Sequence, residues 1–170
     1  MRQHGKNIIL VGMMGTGKST VARLLAEQLG YSLVDLDAAI VDSAGSSIPE
    51  IFAEKGETYF RDLESEVLEK VLQSDRQIIA TGGGVVLRPA NRERMLEQGW
   101  VVALQASADV IVSRVGQDSG RPLLAGDVNE RVKRILEERK DAYDFAHLTI
   151  DTSTLSVEKV AQQILAHYRV

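Results

Sequence analysis

Hydrophobic runs alternate with amphipathic stretches along almost the whole chain, and this alternation constrains the fold more than any other feature. The runs typical of buried strands are residues 7–11, 31–37, 77–81 and 100–105, with a fifth around Thr149 and Ile150. The stretches typical of helices are residues 18–29, 57–73, a segment after residue 127, and 156–168. Strands and helices that alternate in sequence favour a parallel sheet with helices on both faces. The sequence therefore predicts the α/β class.

Two segments interrupt this alternation. Residues from about 38–62 include short helical pieces broken by Gly45 and Pro49, and residues from about 116–127 form a polar, glycine-containing loop. Long irregular segments inside a compact domain are often functional lids, so both are predicted to be moving parts. The 170 residues suffice for one domain spanning 1–170 and are too few for two ordinary domains.

Composition limits the classes of partner. The formal net charge is −4, whereas proteins that bind nucleic acids usually present a basic face. The absence of cysteine excludes disulfides, thiol nucleophiles and thiolate zinc sites. The first apolar run passes directly into Gly12 and Lys18, so it is too short for a secretion signal, and no run is long enough to span a bilayer. We therefore expect a cytoplasmic monomer without a nucleic-acid or membrane partner.

The segment between the first strand and the first helix matches the Walker phosphate-binding pattern. It reads Gly12-Met13-Met14-Gly15-Thr16-Gly17-Lys18-Ser19. A glycine-rich loop that opens a helix directs backbone N–H groups and the helix N-terminus at an anion. Lys18 is predicted to reach the β- and γ-phosphates of a nucleoside triphosphate, and the Ser19 hydroxyl to ligate magnesium. The residues predicted to contact the nucleotide here are Gly15, Thr16, Gly17, Lys18, Ser19 and Thr20.

Two other interpretations of this loop are weaker. A chance glycine-rich turn would not require a preceding buried strand and a following amphipathic helix. A dinucleotide-binding fingerprint would require glycine at the position of Thr20. Nucleotide binding is not itself a function, because such loops serve GTPase switches, motor ATPases and small-molecule kinases alike. Residues elsewhere must therefore decide the function.

The second and third strand-like runs end in residues suited to a ligand site. Leu33, Asp35 and Asp37 share one face by the two-residue period of a strand, which places both carboxylates at the carboxyl end of the sheet. One carboxylate can serve the magnesium shell and the other can accept the proton of a substrate hydroxyl. The alternative is that they cap the following helix, since Asp is a favoured N-cap residue. Gly82 to Gly84 either admits a ligand close to the backbone or forms only a flexible turn.

Three arginines are candidates for binding an anion. Arg61 lies beside an apolar helical stripe, three residues before Glu64, and the alternative to a functional role is a surface ion pair. Arg139 and Tyr143 extend the apolar stripe of the helix after residue 127. An arginine on a buried face needs an anion, either a protein carboxylate or a substrate carboxylate. Arg121, in the second interrupting segment, can close over a transferring phosphoryl group or is a solvated loop charge.

Together these motifs resemble the shikimate kinase family over essentially the full length of the chain. The matching motifs, in family order, are the 12–19 loop, Asp35-Leu36-Asp37, Phe60-Arg61-x-x-Glu64, Gly82-Gly83-Gly84, Arg121-Pro122-Leu123-Leu124 and Arg139-x-x-x-Tyr143. The later motifs are not specific singly, but their combination and spacing are. The resemblance implies a three-layer α/β/α P-loop fold with a five-stranded parallel sheet. It also implies that the first interrupting segment forms the substrate-binding region and the second forms the lid.

The resemblance implies an activity as well: phosphorylation of the 3-hydroxyl of shikimate by ATP with Mg²⁺, a step toward chorismate and the aromatic amino acids. The implied catalytic residues are Lys18, Asp37 and Arg121. The implied shikimate-binding residues are Asp37, Arg61, Gly82, Gly83, Gly84 and Arg139. Asp35 would act on magnesium through water, and Glu64 would hold Arg61 in place. Leu155 stands where the family often has a polar or basic residue beside adenine, so adenine contacts there are expected to be apolar or through the backbone.

Two other functions remain open from the sequence. Gluconate kinase would share the phosphate loop and the lid, but the Asp-x-Asp, arginine and triple-glycine set favours a cyclic acid as the acceptor. A nucleotide-operated switch belongs to a different class. Residues 42–45 fit the D-x-x-G pattern of GTPases, yet they fall in a polar turn and the chain has no N-K-x-D motif.

Overall fold

Helices and strands alternate along the chain as the hydrophobic pattern predicts. The computed structural model describes residues 6–115 and 128–168. The strands are β1 Asn7–Val11, β2 Ser32–Asp35, β3 Gln77–Ala80, β4 Gly99–Gln105 and β5 Leu148–Asp151. The helices are α1 Lys18–Leu29, α2 Leu36–Ala44, α3 Ile48–Val71, α4 Pro89–Gln98, α5 Ala108–Val115, α6 Val128–Glu138 and α7 Val157–His167, with a short 3-10 helix at Val85–Leu87. The strands form one parallel sheet in the order β2-β3-β1-β4-β5, which confirms the predicted class and sheet.

The sheet is covered by helices on both faces. Successive residues of β1 point to opposite faces, so Ile8 and Leu10 join a core packed against α1 and α7. Ile9 and Val11 join a second core, packed against α2, α3 and α4. All five residues of β1 are buried, which explains why this central strand is a continuous apolar run rather than an alternating one. The predicted three-layer arrangement is therefore confirmed.

Strand β2 is shorter than the strand predicted for residues 31–37. It ends at Asp35, because Asp35 is the N-cap of α2 and its Oδ1 accepts a hydrogen bond from the Ala38 N–H at 3.2 Å. Asp37 lies in the first turn of α2. The prediction that both carboxylates share one strand face was therefore wrong, and the capping alternative is confirmed for Asp35. The early start of α2 still leaves Asp37 at the carboxyl end of the sheet.

The first interrupting segment contains the predicted short helical pieces, although one boundary differs. Gly45 ends α2 in the left-handed conformation with φ 70°, and Ser47 caps α3. Pro49 does not break a helix, since it lies in the first turn of α3, where its missing N–H has no partner to lose. Gly56, with φ 86° and ψ 173°, interrupts α3 eight residues after its start. The helix predicted from residue 57 is thus the second half of α3.

Helix α6 ends before the last residues of its predicted stripe. It stops at Glu138, so Arg139 and Tyr143 lie in the turns that follow and not on the helix. In these turns the Ala142 N–H donates to the Arg139 carbonyl at 2.9 Å and the Ala146 N–H donates to the Tyr143 carbonyl at 3.2 Å. These hydrogen bonds join residues three apart, as in a 3-10 turn, so the α-helical period does not continue past Glu138 toward β5.

The predicted lid at residues 116–127, with Arg121, lies outside the described residues. Within the described ranges, none of the helices has both the length and the apolar character needed to cross a membrane.

Candidate active site

The phosphate loop joins β1 to α1 and takes a conformation that requires glycine. Gly12, Gly15 and Gly17 have φ values of 144°, 78° and 95°. A Cβ on Gly12 would overlap the Leu104 carbonyl of the neighbouring strand β4. No side chain caps the N-terminus of α1 in the described structure, so the first N–H groups of this helix can bind an anion.

The side chain of Lys18 turns back onto this loop. Its Nζ donates to the carbonyl oxygens of Gly12 and Met13, at 3.1 Å in the case of Met13. The buried hydroxyl of Thr16 also donates to the Met13 carbonyl, at 2.7 Å. The ammonium charge is therefore held at the centre of the loop, beside the free end of the α1 backbone.

Arg114 and Thr152 form hydrogen bonds to carbonyl oxygens of the phosphate loop, and neither contact was predicted. Arg114, in the last turn of α5, donates to the Gly15 carbonyl at 2.9 Å and to the Thr152 carbonyl at 3.0 Å. The Thr152 hydroxyl lies 3.0 Å from the Thr16 carbonyl and 3.1 Å from the Gln105 carbonyl, both acceptors. We call these two residues the loop clip. The clip links the phosphate loop to the ends of β4, α5 and β5.

The Gly82–Gly84 turn after β3 lies against three charged side chains. A Cβ on Gly82 would stand 2.9 Å from Asp37 Oδ1, and a Cβ on Gly83 would stand 3.2 Å from an Arg139 guanidinium nitrogen. A Cβ on Gly84 would overlap the Arg61 guanidinium. An alanine at any of these positions would push the neighbouring charged side chain out of its place. The turn brings together one carboxylate and two guanidinium groups from α2, α3 and the segment after α6.

Arg61 and Glu64 form an ion pair that is buried rather than at the surface. Arg61 Nη1 lies 3.0 Å from Glu64 Oε1, and their side chains are 13% and 1% exposed. Burial raises the pKa of Glu64, while the charge and the hydrogen bond of Arg61 act in the opposite direction. Arg61 Nε is buried and makes no hydrogen bond among the described residues, although it lies 3.7 Å from Glu57 Oε1. The guanidinium thus retains donor capacity beyond its bond to Glu64.

Tyr143 connects Arg139 to the glycine turn. Its hydroxyl donates to the Gly83 carbonyl at 2.8 Å, and the charged Arg139 side chain interacts with the same hydroxyl. Burial raises the pKa of Tyr143, against the opposing charges of Arg139 and Arg61. The phenol is therefore neutral at neutral pH and keeps the proton that it donates to Gly83.

One cavity of about 960 Å³ joins the phosphate loop to the glycine turn. Its polar lining includes Lys18, Ser19, Asp35, Asp37, Arg61, Glu64 and Arg114. Its apolar wall comes from the first interrupting segment and the second half of α3, through Val41, Ile48, Pro49, Phe52, Ala53 and Phe60. A cavity of this size, with an apolar wall and a few convergent polar groups, is typical of a small-molecule site.

The oxygen groups in this cavity suit a hard divalent cation that arrives with a phosphate. Ser19 and Asp35 both line it. In the part of the chain that is described, no three His, Cys, Asp or Glu side chains are placed to hold a metal ion by themselves. Magnesium is commonly bound by one or two protein oxygens together with substrate phosphates and water. The donor set therefore fits a magnesium ion that is shared with a nucleotide.

Most of the predicted residues line this cavity, namely Gly15, Gly17, Lys18, Ser19, Thr20, Asp35, Asp37, Arg61 and the three glycines of the turn. Thr16 is buried within the phosphate loop, and Arg139 lies beside the cavity against Gly83. Leu155 packs against the core over α1 and α7, and its contact with adenine stays a prediction. The role of Arg114 could not be predicted from its local sequence, because an arginine in the last turn of a helix is also favoured by the helix dipole.

Comparison with known proteins agrees with this geometry. The shikimate kinase family model matches residues 14–169. The shikimate kinase of Geobacter sulfurreducens is 47% identical over 166 residues, which cover 97% of this chain and 92% of the relative. That of Thermodesulfovibrio yellowstonii is 44% identical over 164 residues, covering 96% and 95%. A solved structure of shikimate kinase from Acinetobacter baumannii in complex with shikimate is similar at a TM-score of 0.90 and 38% identity, covering 96% of this chain and 92% of that one.

These matches extend over nearly the whole chain, and the family model includes the phosphate loop from Met14 onward and the glycine turn with its charged neighbours. The chain belongs to the shikimate kinase family.

Proposed function

We propose that this chain transfers the γ-phosphoryl group of ATP, with Mg²⁺, to the 3-hydroxyl of shikimate, giving shikimate 3-phosphate and ADP in chorismate and aromatic amino acid biosynthesis. The observation that carries the proposal is the single cavity in which a phosphate loop faces a carboxylate and a buried arginine packed on a glycine turn. A cyclic hydroxy acid needs both kinds of group. Its carboxylate requires a cation, and its hydroxyl requires an acceptor close to the phosphate.

On the acceptor side, Arg61 and Arg139 would bind the carboxylate of shikimate. Guanidinium groups recognise carboxylates through paired hydrogen bonds, and Arg61 is already oriented by Glu64 at 3.0 Å. Asp37 and the backbone of Gly82 to Gly84 would bind the ring hydroxyls. Asp37 would receive the proton of the attacking hydroxyl or orient that hydroxyl, since positioning alone supplies much of the catalysis in phosphoryl transfer.

On the donor side, the N–H groups of residues 15–20 would surround the phosphates, and Lys18 would neutralise charge on the transferred group. Ser19 would bind magnesium directly and Asp35 through water. The hydroxyl oxygen forms a bond to the γ-phosphorus while the bond from that phosphorus to the β–γ bridging oxygen breaks, and ADP leaves. Arg121, which belongs to the residues not described, is proposed to contact the phosphates from the lid, and Leu155 is proposed to lie near adenine.

We also propose that the enzyme acts as a cytoplasmic monomer without nucleic-acid or membrane partners. The net charge of −4 offers no general attraction for polyanions. Sedimentation analysis at several concentrations tests the monomer.

The decisive experiment is a coupled assay of ADP release with shikimate, with gluconate and without an acceptor. We expect rapid release with shikimate alone, and formation of shikimate 3-phosphate confirmed by mass spectrometry. The control is Lys18→Ala, which should abolish release with every acceptor. Equal release of ADP in all three mixtures would refute the kinase assignment. Faster release with gluconate than with shikimate would identify the chain as a gluconate kinase.

A further inference from the structure

Tyr143 has no role in the reaction proposed above, yet it contacts two parts of the acceptor site. Its side chain is 8% exposed and packs in the core over the α3 face of the sheet. The hydroxyl at the end of this buried ring donates to the Gly83 carbonyl and interacts with the Arg139 side chain, whose guanidinium lies on Gly83. We propose that Tyr143 is a positioning residue that holds Arg139 and the Gly82–Gly84 turn in the arrangement that binds the acid acceptor. The inference rests on the proposed function, because shikimate is the acceptor.

The bond to Gly83 limits the freedom of a turn made of three glycines. Such a turn has many accessible backbone conformations, because no Cβ restricts it. The peptide unit between Gly83 and Gly84 is planar, so its carbonyl and the following N–H point in opposite directions. The phenol donates to this carbonyl at 2.8 Å and thereby also sets the direction of the Gly84 N–H. One side-chain bond thus orients a whole peptide unit at the cavity wall.

The contact with Arg139 limits the freedom of a long side chain. Arg139 follows the end of α6, so helix packing does not restrain it on both sides. Its guanidinium rests on Gly83, where an added Cβ would stand 3.2 Å from Nη1. A side chain that is already fixed loses less entropy when it binds a ligand, which increases affinity without a new contact.

The protonation state of Tyr143 allows both bonds at once. Burial raises the pKa of its phenol, so the hydroxyl keeps its proton at neutral pH. The proton is donated to the Gly83 carbonyl, and the oxygen lone pairs stay available to accept from the cationic Arg139 side chain. A phenylalanine ring would fill the same space in the core and make neither bond.

The test is Tyr143→Phe, with Tyr31→Phe as the matched control. Tyr31 also has a hydroxyl in a partly buried bond, 2.9 Å from the Tyr168 hydroxyl, but beside the opposite core. For Tyr143→Phe we expect the KM and Kd for shikimate to rise about tenfold, as when a bond to a charged group is lost, with the KM for ATP and kcat within about twofold. Tyr31→Phe should lower the melting temperature and leave both KM values unchanged.

A second comparison separates positioning from packing. If Tyr143 acts through Arg139, then Tyr143→Phe adds little to the shikimate KM of Arg139→Ala. Replacement of Tyr143 by 4-aminophenylalanine keeps the donor to the Gly83 carbonyl but offers Arg139 only a weak acceptor, so it should restore part of the shikimate affinity that the phenylalanine variant loses.

The outcomes distinguish the two proposals. A wild-type protein that neither binds nor phosphorylates shikimate refutes the proposed function. Wild-type turnover combined with an unchanged shikimate KM and Kd in Tyr143→Phe overturns this inference alone. Equal losses for shikimate and ATP, or no recovery with 4-aminophenylalanine, also overturn it, since they indicate a general packing defect.

Discussion

Gly82, Gly83 and Gly84 each lie against a different charged side chain, namely Asp37, Arg139 and Arg61. The absence of three Cβ atoms lets these groups approach the backbone of the turn after β3. At this scale, the site depends as much on the space that the glycines leave as on the charges. We therefore expect that a substitution of either a glycine or its charged neighbour weakens binding of the acceptor.

Gly84→Ala tests this dependence. Gly84 has φ −95° and ψ 0°, which alanine adopts readily, so the substitution should not strain the backbone. Its Cβ would displace the Arg61 guanidinium, the flexible end of a long side chain. We expect the shikimate KM to rise about tenfold, a change of about 1.4 kcal/mol in binding, with an unchanged KM for ATP in steady-state assays.

The control for this variant is Gly45→Ala at the end of α2. Gly45 has φ 70° and no atom near its Cβ position, so alanine there should cost about 1 kcal/mol of stability and leave the shikimate KM unchanged. If both variants altered the KM equally, displacement of Arg61 would not be the cause.

At the scale of elements, the phosphate loop depends on α5 and on the segment after β5. Arg114 and Thr152 connect these to the carbonyls of Gly15 and Thr16. Because these carbonyls are held by hydrogen bonds, the N–H groups of the loop are already oriented before the nucleotide binds. The same clip joins the ends of β4 and β5, through the Gln105 carbonyl.

Thr152→Val tests the loop clip. Valine keeps the shape of threonine but cannot bond to the Thr16 carbonyl, so the loop should lose preorganisation. We expect the KM for ATP to rise about fivefold, as for the loss of a hydrogen bond worth about 1 kcal/mol, and the shikimate KM to stay unchanged. Thr149→Val, at an exposed position in β5, is the control and should change neither. A rise in the shikimate KM alone would contradict this role.

His147 makes the junction of β4 and β5 sensitive to pH. The ring Nδ1 of His147 accepts from the Val101 N–H at 2.9 Å, and the backbone N–H of His147 donates to the Val101 carbonyl at 2.9 Å. Burial, and then the charge of Lys6, lowers the pKa of His147 from about 6.5. Protonation would remove the acceptor. The stabilisation is thus fully present above about pH 6.5 and is lost as the pH falls through the lowered pKa.

We therefore expect the free energy of unfolding to decrease as the pH is lowered below about 6.5, in urea titrations at several pH values. His147→Asn keeps an acceptor near the Nδ1 position and cannot titrate, so it should remove this component of the slope. An unchanged slope in His147→Asn would assign the pH dependence to other groups.

At the scale of the whole molecule, one cavity combines two half-sites that are built from different elements. The phosphate half comes from β1, α1 and the loop clip, and the acceptor half from α2, α3, the glycine turn and the segment after α6. The parallel sheet places both at the carboxyl ends of its strands, where open α/β sheets bind ligands. The two ligands should consequently stabilise the fold through separate sets of contacts.

Arg139→Ala should separate these contributions. A ligand at 100 times its Kd stabilises a folded protein by about 2.7 kcal/mol, so wild type should melt at a higher temperature with either ligand. The variant should lose most of the shift caused by shikimate and retain the shift caused by ATP, as measured by scanning calorimetry. Loss of both shifts would indicate that the variant is misfolded, and retention of both would exclude Arg139 from acceptor binding.

The sequence by itself determined the five strands, several of the helices and the phosphate loop, whereas α4 and α5 were not predicted. Buried strands and amphipathic helices have periods of two and 3.6 residues, so they were visible in short windows. The loop was predictable for the same reason, because the strand, the glycines, Lys18 and the helix are contiguous. The Arg61 and Glu64 contact was also suggested by their spacing, since residues three apart in a helix are neighbours.

Only the tertiary structure decided how distant residues meet. Arg114 and Thr152 are 38 positions apart, and Tyr143 and Gly83 are 60 apart. Their contacts depend on the strand order β2-β3-β1-β4-β5 and on the turns after α6, which no local period encodes. The start of α2 was misjudged for a related reason, because the backbone changes from strand to helix where Asp35 bonds to the Ala38 N–H. Burial of the ion pair and the close approach to the glycines likewise arise only when the layers pack.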